Sequence, residues 1–312
     1  PFIGEEEKKL VLDCLNTGWI SSEGPYVKQF EQQIASEFSR KYAIAVSSGT
    51  AAIDISIEAL DFPVGSQIIV PSFTIISCIT QILRKGLIPI FIDSDPLTWN
   101  MDTNLIEEKI TKNTVAIMAV HIYGLPVNMD KIIEISNKHD LVIIEDSAEM
   151  IGQTYKGKKC GSFGLISTLS FYPNKHITTG EGGMVLTDSE LLYDKCRELR
   201  NLCFTKERRF LHHKLGWNYR MTNIQAALGI GQLKRLEQTI KKKRWIGHTY
   251  NKYLLNQPLL TLPYGSTSYA DNIYWVYGIL INTSVRNIKN VVNHLKIKGI
   301  DTRPFFFPLH LQ

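Results

Sequence analysis

Lys175 is the residue around which the chemistry of this chain is organised. It lies in Ser170-Phe171-Tyr172-Pro173-Asn174-Lys175-His176-Ile177-Thr178-Thr179-Gly180-Glu181-Gly182-Gly183, just ahead of a turn of small residues. Asp146 precedes it by 29 positions, in Glu145-Asp146-Ser147-Ala148-Glu149, directly after the apolar run Leu141-Val142-Ile143-Ile144. A lysine amine forms a Schiff base with an aldehyde, and a carboxylate keeps a pyridine nitrogen protonated so that the ring withdraws electrons. Acid and lysine in this order are the pair that pyridoxal 5'-phosphate (PLP) needs. A single lysine in a glycine-rich loop says little, because most lysines are solvated. The ordered pair says much more.

A third element precedes both. Ser48-Gly49-Thr50 joins a strand pattern to a helix start, where free backbone N–H groups and the Thr50 hydroxyl form a natural phosphate cradle. Ser and Thr also favour that position simply as helix caps, so the segment alone decides nothing. A carboxylate at Asp146, deep in an apolar strand, is costly unless paired. A pyridinium N–H is one suitable partner, and a helix cap or an internal salt bridge is another. Phosphate loop, ring acid and lysine follow one another in chain order.

The elements that must position these residues alternate. Amphipathic helices are predicted over Glu5 to Leu15 and Val27 to Arg40, with the loop Gly18-Trp19-Ile20-Ser21 between them. Buried strands are predicted at Ala43 to Val46, Gln67 to Val70, Ile88 to Ile92, Val115 to Val120 and Leu141 to Ile144. Helical segments separate them near Ala51 to Leu60, Ser77 to Lys85, Thr103 to Ile110 and Asp130 to His139. Two more strands, Ile166 to Phe171 and Gly183 to Thr187, join the same layer. Strand and helix alternating at this spacing give an α/β protein with a mostly parallel sheet covered on both faces. In such a sheet, ligand groups gather at the C-terminal ends of the strands. A long helical pattern from Asn223 to about Leu255 leads out of this body. Ile273 to Ile281 and Val291 to Lys298 then suggest a smaller α+β unit. We expect a large cofactor-binding domain over residues 1–235 and a small C-terminal domain over 236–312.

Composition narrows the class. The 312 residues are 44% hydrophobic and 21% charged, with a net charge of +5, ordinary for a globular protein. The one basic run, Lys241-Lys242-Lys243-Arg244, follows Leu233, Leu236 and Ile240 at helical spacing. That is the solvated face of an amphipathic helix, and no nucleic-acid partner is expected. No apolar run is long enough to span a membrane, and nothing resembles a signal peptide. Cys14, Cys78, Cys160, Cys196 and Cys203 are odd in number and unpaired in spacing, which suits reduced thiols in the cytoplasm and no metal site.

The chain resembles the DegT/DnrJ sugar aminotransferases, within fold type I of PLP enzymes. The likeness runs from Gly18-Trp19-Ile20-Ser21 to Thr302-Arg303-Pro304. Its specific motifs are Ser48-Gly49-Thr50-Ala51-Ala52, Glu145-Asp146-Ser147-Ala148-Glu149, Ser170 to Gly183, and Gly216-Trp217-Asn218-Tyr219-Arg220-Met221-Thr222. Glu149 and the Asn174-Lys175 pair bring it nearest to perosamine synthases and related nucleotide-sugar 4-aminotransferases. The resemblance implies that Lys175 carries the cofactor and moves the proton, and that Asp146 holds the pyridinium nitrogen. Glu149 would approach the phenolic oxygen. Ser48, Gly49, Thr50 and Ser170 would bind the phosphate. Asn218 would reach the phosphate of a neighbouring subunit, so the protein is expected to be a homodimer. Trp19 and His310 match segments that line the sugar-nucleotide pocket. Arg208 and Arg209, with Lys206, His212 and His213, form a basic cluster that would neutralise a diphosphate.

The implied reaction moves an amino group from L-glutamate to the 4-keto group of a nucleotide-linked 4-keto-6-deoxysugar. The nucleotide is left open between GDP, UDP and dTDP. Two departures stand out. Ile75 occupies the position after Pro71-Ser72-Phe73-Thr74 where the family places an aromatic residue over the pyridine ring, so stacking geometry is lost there. The chain also begins at Pro1 and stops at Gln312, soon after Arg303-Pro304, so the small domain is expected to be incomplete. Three alternatives are weaker. The sugar 3-dehydratases of the family replace the lysine with histidine. Other PLP chemistries, such as cysteine desulfuration, lack a cysteine in a glycine-rich loop here. A non-catalytic binding or regulatory protein has no need of the lysine.

Overall fold

The computed structural model of the chain describes residues 1–204, 210–281 and 287–312. Among the described residues, the strands β1 (Tyr42–Val46), β2 (Gln67–Pro71), β3 (Ile88–Ile92), β4 (Thr114–Val120), β5 (Val142–Asp146), β8 (Ile166–Ser170) and β9 (Gly183–Thr187) form a seven-stranded sheet. The spatial order is β1-β9-β8-β5-β4-β2-β3. Between β5 and β8 lies a separate hairpin of β6 (Thr154–Tyr155) and β7 (Lys158–Lys159). The pairs β2–β3, β2–β4, β4–β5 and β5–β8 are parallel. Only β9 runs against its neighbours, β1 and β8. This is the mostly parallel sheet the alternation predicts.

That one antiparallel strand fixes the site. Gly183, at the start of β9, pairs with Val46 on one side and Ser170 on the other. The C-terminal ends of β1 and β8 are therefore held at the same edge as the C-terminal end of β5, which carries Asp146. A Cβ on Gly183 would come within 2.3 Å of the Ser48 carbonyl oxygen, so only glycine lets the strands close here.

Helices cover both faces. α3 (Gly49–Leu60), α4 (Ser77–Arg84) and α6 (Glu190–Arg200) bury Ile53, Ile57, Ile79, Ile82 and Leu192 in one apolar core with Ile44, Ile68 and Val185 of the sheet. On the opposite side α2 (Pro25–Glu37), α7 (Asn223–Leu233) and α8 (Leu236–Leu254) pack Phe30, Ile34, Ile230 and Ile240 around Leu169 and Met184. α5 (Met129–His139) closes a third cluster with Ile132 and Ile135. α1 (Glu5–Thr17) lies on α7, where the buried Glu7 is paired with Arg235 and Gln232.

Three expectations differ from the structure. The segment Thr103 to Ile110 is two 3₁₀ turns, Thr103–Leu105 and Glu107–Lys109, because the Asp102 side chain accepts the Asn104 N–H and closes a local turn instead of a helix. The long pattern from Asn223 breaks at Arg235, whose φ of −111° leaves the helical region, giving α7 and α8. Ile273 to Ile281 is not one strand. Its first residues are irregular and buried against the large body, with Ile273 N–H donated to the Gly124 carbonyl. Its end, β11 (Leu280–Ile281), pairs with β10 (Leu260–Thr261), followed by α9 (Ile288–Ile297).

The C-terminal stretch returns to the sheet. Leu309 N–H bonds to the Ser72 carbonyl, just past β2. Phe305 and Phe306 pack against Phe73 and Tyr123 in tilted and edge-on contacts, at ring separations of 5.3–5.9 Å.

Candidate active site

Asp146, Glu149, Lys175, Ser48, Gly49, Thr50 and Ser170, out of the sequence-predicted residues, lie at the C-terminal edge of the sheet. Asp146 ends β5 and is buried. Its Oδ1 accepts from the Ala148 N–H at 3.0 Å and the Thr168 hydroxyl at 3.3 Å. Its Oδ2 faces the Cys78 thiol at 3.4 Å. Glu149, one turn further on, accepts the Tyr123 N–H on Oε2 at 2.7 Å and turns Oε1 towards Lys175 Nζ at 3.9 Å. Lys175 sits on a turn closed by its own N–H to the Tyr172 carbonyl, and its side chain is only 9% exposed.

Burial governs the charges of this pair. It depresses the Lys175 amine and raises the Glu149 carboxyl, against the attraction each exerts on the other. A lysine whose charged form is disfavoured is closer to the neutral nucleophile that carbonyl chemistry requires.

The phosphate-loop residues are where the sheet argument puts them. The Ser48 hydroxyl accepts the Ala51 N–H at 3.0 Å and caps α3, so its side chain serves the helix. The Thr50 hydroxyl is exposed and 2.8 Å from the Ser77 hydroxyl of α4. Gly49 packs so closely on the end of β8 that a Cβ there would lie 2.8 Å from Ser170 Cβ. Asn218 is exposed, in a bridge with Asn201. Trp19 is exposed, and so is His310, whose ring lies 6.3 Å from that of Phe91. Ile75 is 46% exposed at the start of α4. Arg208 and Arg209, with Lys206, lie outside the described residues.

These residues fit the PLP that the sequence calls for. The helix α3 opens on Gly49 and Thr50 beside Ser170, a cradle that a side chain at position 49 would fill. Asp146 Oδ2 meets only a thiol, a weak donor, so it keeps acceptor capacity for a ring N–H. Lys175 Nζ is buried, with the Glu149 carboxylate 3.9 Å away, beyond hydrogen-bond distance.

Sequence reasoning missed three residues. Trp275 lays its ring under the Lys175 amine, with Nζ 3.7 Å from the ring centroid. Cys78 was counted only as a reduced thiol. Tyr123 bonds Glu149 through its backbone, in a left-handed conformation with φ of 53°. Behind them, His121 Nε2 lies 3.1 Å from Glu145 Oε1, both fully buried. No spacing signal links Trp275 to Lys175, because 100 positions separate them.

Residues 1–312 match the DegT/DnrJ/EryC1/StrS aminotransferase family. The chain belongs to that family. It is 43% identical over 310 residues to the GDP-perosamine synthase of Escherichia coli O157:H7, covering 99% of this chain and 84% of that protein. Among solved structures, Helicobacter pylori PseC, an aminotransferase in pseudoaminic acid biosynthesis, superposes with a TM-score of 0.93. It is 27% identical, with 99% of this chain and 84% of that chain covered. A GDP-4-keto-6-deoxymannose-3-dehydratase with a trapped PLP-glutamate geminal diamine gives 0.90 at 30% identity, covering 97% and 84%. No described helix is long and apolar enough to cross a membrane.

Proposed function

We propose that this aminotransferase moves an amino group from L-glutamate to the 4-keto group of a GDP-linked 4-keto-6-deoxysugar. The observation that carries the reading is the convergence of Asp146, Glu149 and Lys175 in one buried cluster near the open end of α3. PLP is the cofactor. Bound there, it supplies an electron sink for the carbon that gains or loses nitrogen.

Each residue has one task. Lys175 would hold the cofactor through Nζ and, when its amine is free, would move a proton to and from the reacting carbon. Asp146 keeps the pyridine nitrogen protonated, with Thr168 and the Ala148 N–H orienting its carboxylate. Glu149, fixed by Tyr123, faces the phenolic oxygen. Gly49, Thr50 and Ser170 would hold the phosphate at the positive end of α3, which the Ser48 hydroxyl caps. The aliphatic Ile75 covers the ring face by dispersion alone. Glutamate leaves as 2-oxoglutarate before the keto sugar enters, so the two substrates share one site in turn. Trp19 and His310, and Arg208 and Arg209 from the basic cluster, bind the sugar nucleotide.

Asn218 completes the phosphate site of a second copy, which makes the working unit a homodimer. Its exposure supports this, as do the exposed side chains of Ile76 and Tyr172, apolar surface that a partner would cover. The five cysteines are free thiols, in keeping with a cytoplasmic enzyme.

The choice of GDP rests on the perosamine synthase relative. The test is an absorbance titration of the full chain with PLP and then L-glutamate, followed by incubation with GDP-, UDP- and dTDP-linked 4-keto-6-deoxysugars and mass spectrometry of the products. A lysine-bound cofactor band that glutamate bleaches, and an amino sugar from the GDP substrate, are expected. Amination of a dTDP sugar alone overturns the nucleotide. A band that glutamate leaves untouched overturns the donor.

A further inference from the structure

Trp275 is 6% exposed and comes from a segment far from every motif, yet it forms the floor beneath the Lys175 amine. The residue is held by two contacts to its ring and one to its backbone. The indole N–H donates to the Asn174 carbonyl at 3.0 Å. Lys243 Nζ of α8 donates to the Trp275 carbonyl at 2.9 Å. The Tyr123 ring lies against it, with centroids 5.8 Å apart. Because Asn174 directly precedes Lys175, the same bond that fixes the indole also fixes its height relative to the lysine.

We propose that Trp275 is the resting platform of the Lys175 amine whenever that amine is not bonded to the cofactor. The inference deepens the proposed function and rests on its assignment of Lys175. A lysine that carries the cofactor must be displaced and must return in every turnover. While free it is an amine in a nearly dry pocket, 3.9 Å from Glu149, beyond hydrogen-bond reach. The π face of an indole takes the place of the missing solvent for the protonated amine and keeps it beside the reacting carbon. Tryptophan is the strongest of the aromatic residues in this role.

The groups facing the amine act in both directions. Glu149 and Asp146, from the β5 segment, and Cys78, from α4, favour the charged amine. Burial opposes it. The adjacent His176 stays neutral, pushed down to about 3 by burial and then by Lys243. Lys243 is itself pushed down by burial. The indole adds to the side favouring charge, so its removal must lower the pKa of the free lysine.

The experiment measures Lys175 directly. The full chain, with PLP and saturating L-glutamate to free the lysine, is acylated with a small amine reagent as a function of pH, and the Lys175 peptide is quantified by mass spectrometry. Trp275→Leu is expected to lower the apparent pKa of Lys175 by about 0.5 to 1.5 units, and Trp275→Phe by less. Replacing the tryptophans with progressively fluorinated analogues keeps the shape and drains the π face, so it should lower the pKa stepwise even if Trp275→Leu folds poorly. An unchanged pKa in Trp275→Leu, or no trend with fluorination, overturns the platform. Labelling with PLP alone separates the two ideas. Protection of Lys175 by the cofactor supports its assignment, whereas loss of protection would sink that assignment and leave the measured pKa to decide on Trp275.

Discussion

Cys78 Sγ lies 3.4 Å from Asp146 Oδ2, on the oxygen that neither Thr168 nor the Ala148 N–H reaches. Burial holds the thiol well above its ordinary pKa, and the Asp146 charge adds to that. Cys78 therefore stays protonated and donates. Thr74, 3.5 Å from the sulfur, completes a short relay from the β2 loop to the acid.

Removing that donor should loosen the cofactor. Cys78→Ala is expected to weaken PLP binding about three- to tenfold, the net worth of one ordinary hydrogen bond, because a thiol is a weak donor even to a carboxylate. Cys78→Ser, a better donor of similar size, should restore it. Spectrophotometric titration gives both affinities, and equal values for the two variants would show that Cys78 only fills space.

Gly49 is expected to be specific to the phosphate end. A methyl at that position presses on Ser170 Cβ at 2.8 Å, so the strand end or the helix must shift. Gly49→Ala should weaken PLP about tenfold, within the 1–3 kcal/mol typical of overpacking. Inorganic phosphate, tested as a competitor, should lose affinity as well. If phosphate binding is unaffected while PLP binding falls, the cradle lies elsewhere.

The pair His121–Glu145 sets an acid limit on stability. Burial alone would raise Glu145, but the His121 bond and the N–H groups of Gly161 and Gly164 outweigh it and hold the carboxyl at about 2, against 4.5 when unperturbed. A folded-state pKa below the unfolded one gives stability that is complete above pH 4.5 and fades as the pH falls towards 2. The contribution is about 3 kcal/mol. Glu145→Gln should destabilise the chain at neutral pH by roughly that amount, since several N–H donors lose their carboxylate. It should also flatten the acid limb of thermal midpoint against pH. A limb of unchanged steepness would assign the acid sensitivity to other carboxylates.

Sharing of sites between subunits has a numerical signature. Lys175→Ala and Asn218→Ala should each be inactive alone, yet a refolded equal mixture should recover about a quarter of wild-type activity. Half the dimers are then hybrids, and each hybrid holds one intact site. No recovery on mixing means that Asn218 serves its own chain.

Most of the frame was legible from residue order. The alternation of apolar runs with helical patterns gives the strands to within a residue or two, because a strand buried on both faces must be continuously apolar. Asp146 and Ser48-Gly49-Thr50 were legible for the same reason, being polar residues at the ends of such runs. The break at Arg235 and the turns at Thr103–Leu105 were not. Both follow from single local bonds or dihedrals that periodicity averages away. Helical spacing alone cannot see them.

By itself the sequence determined the residue types and chain order on which the proposed chemistry rests, a lysine, an acid and a Ser-Gly-Thr helix start. Only the tertiary structure decided what surrounds them. The strand β9 had to run antiparallel to bring Val46 and Ser170 to one edge. The chain had to return from beyond α8 to slide Trp275 under Lys175, and from α4 to place Cys78 on Asp146. Contacts between residues 68 and 100 positions apart leave no periodic trace, because they are selected by packing in three dimensions rather than by spacing along the chain.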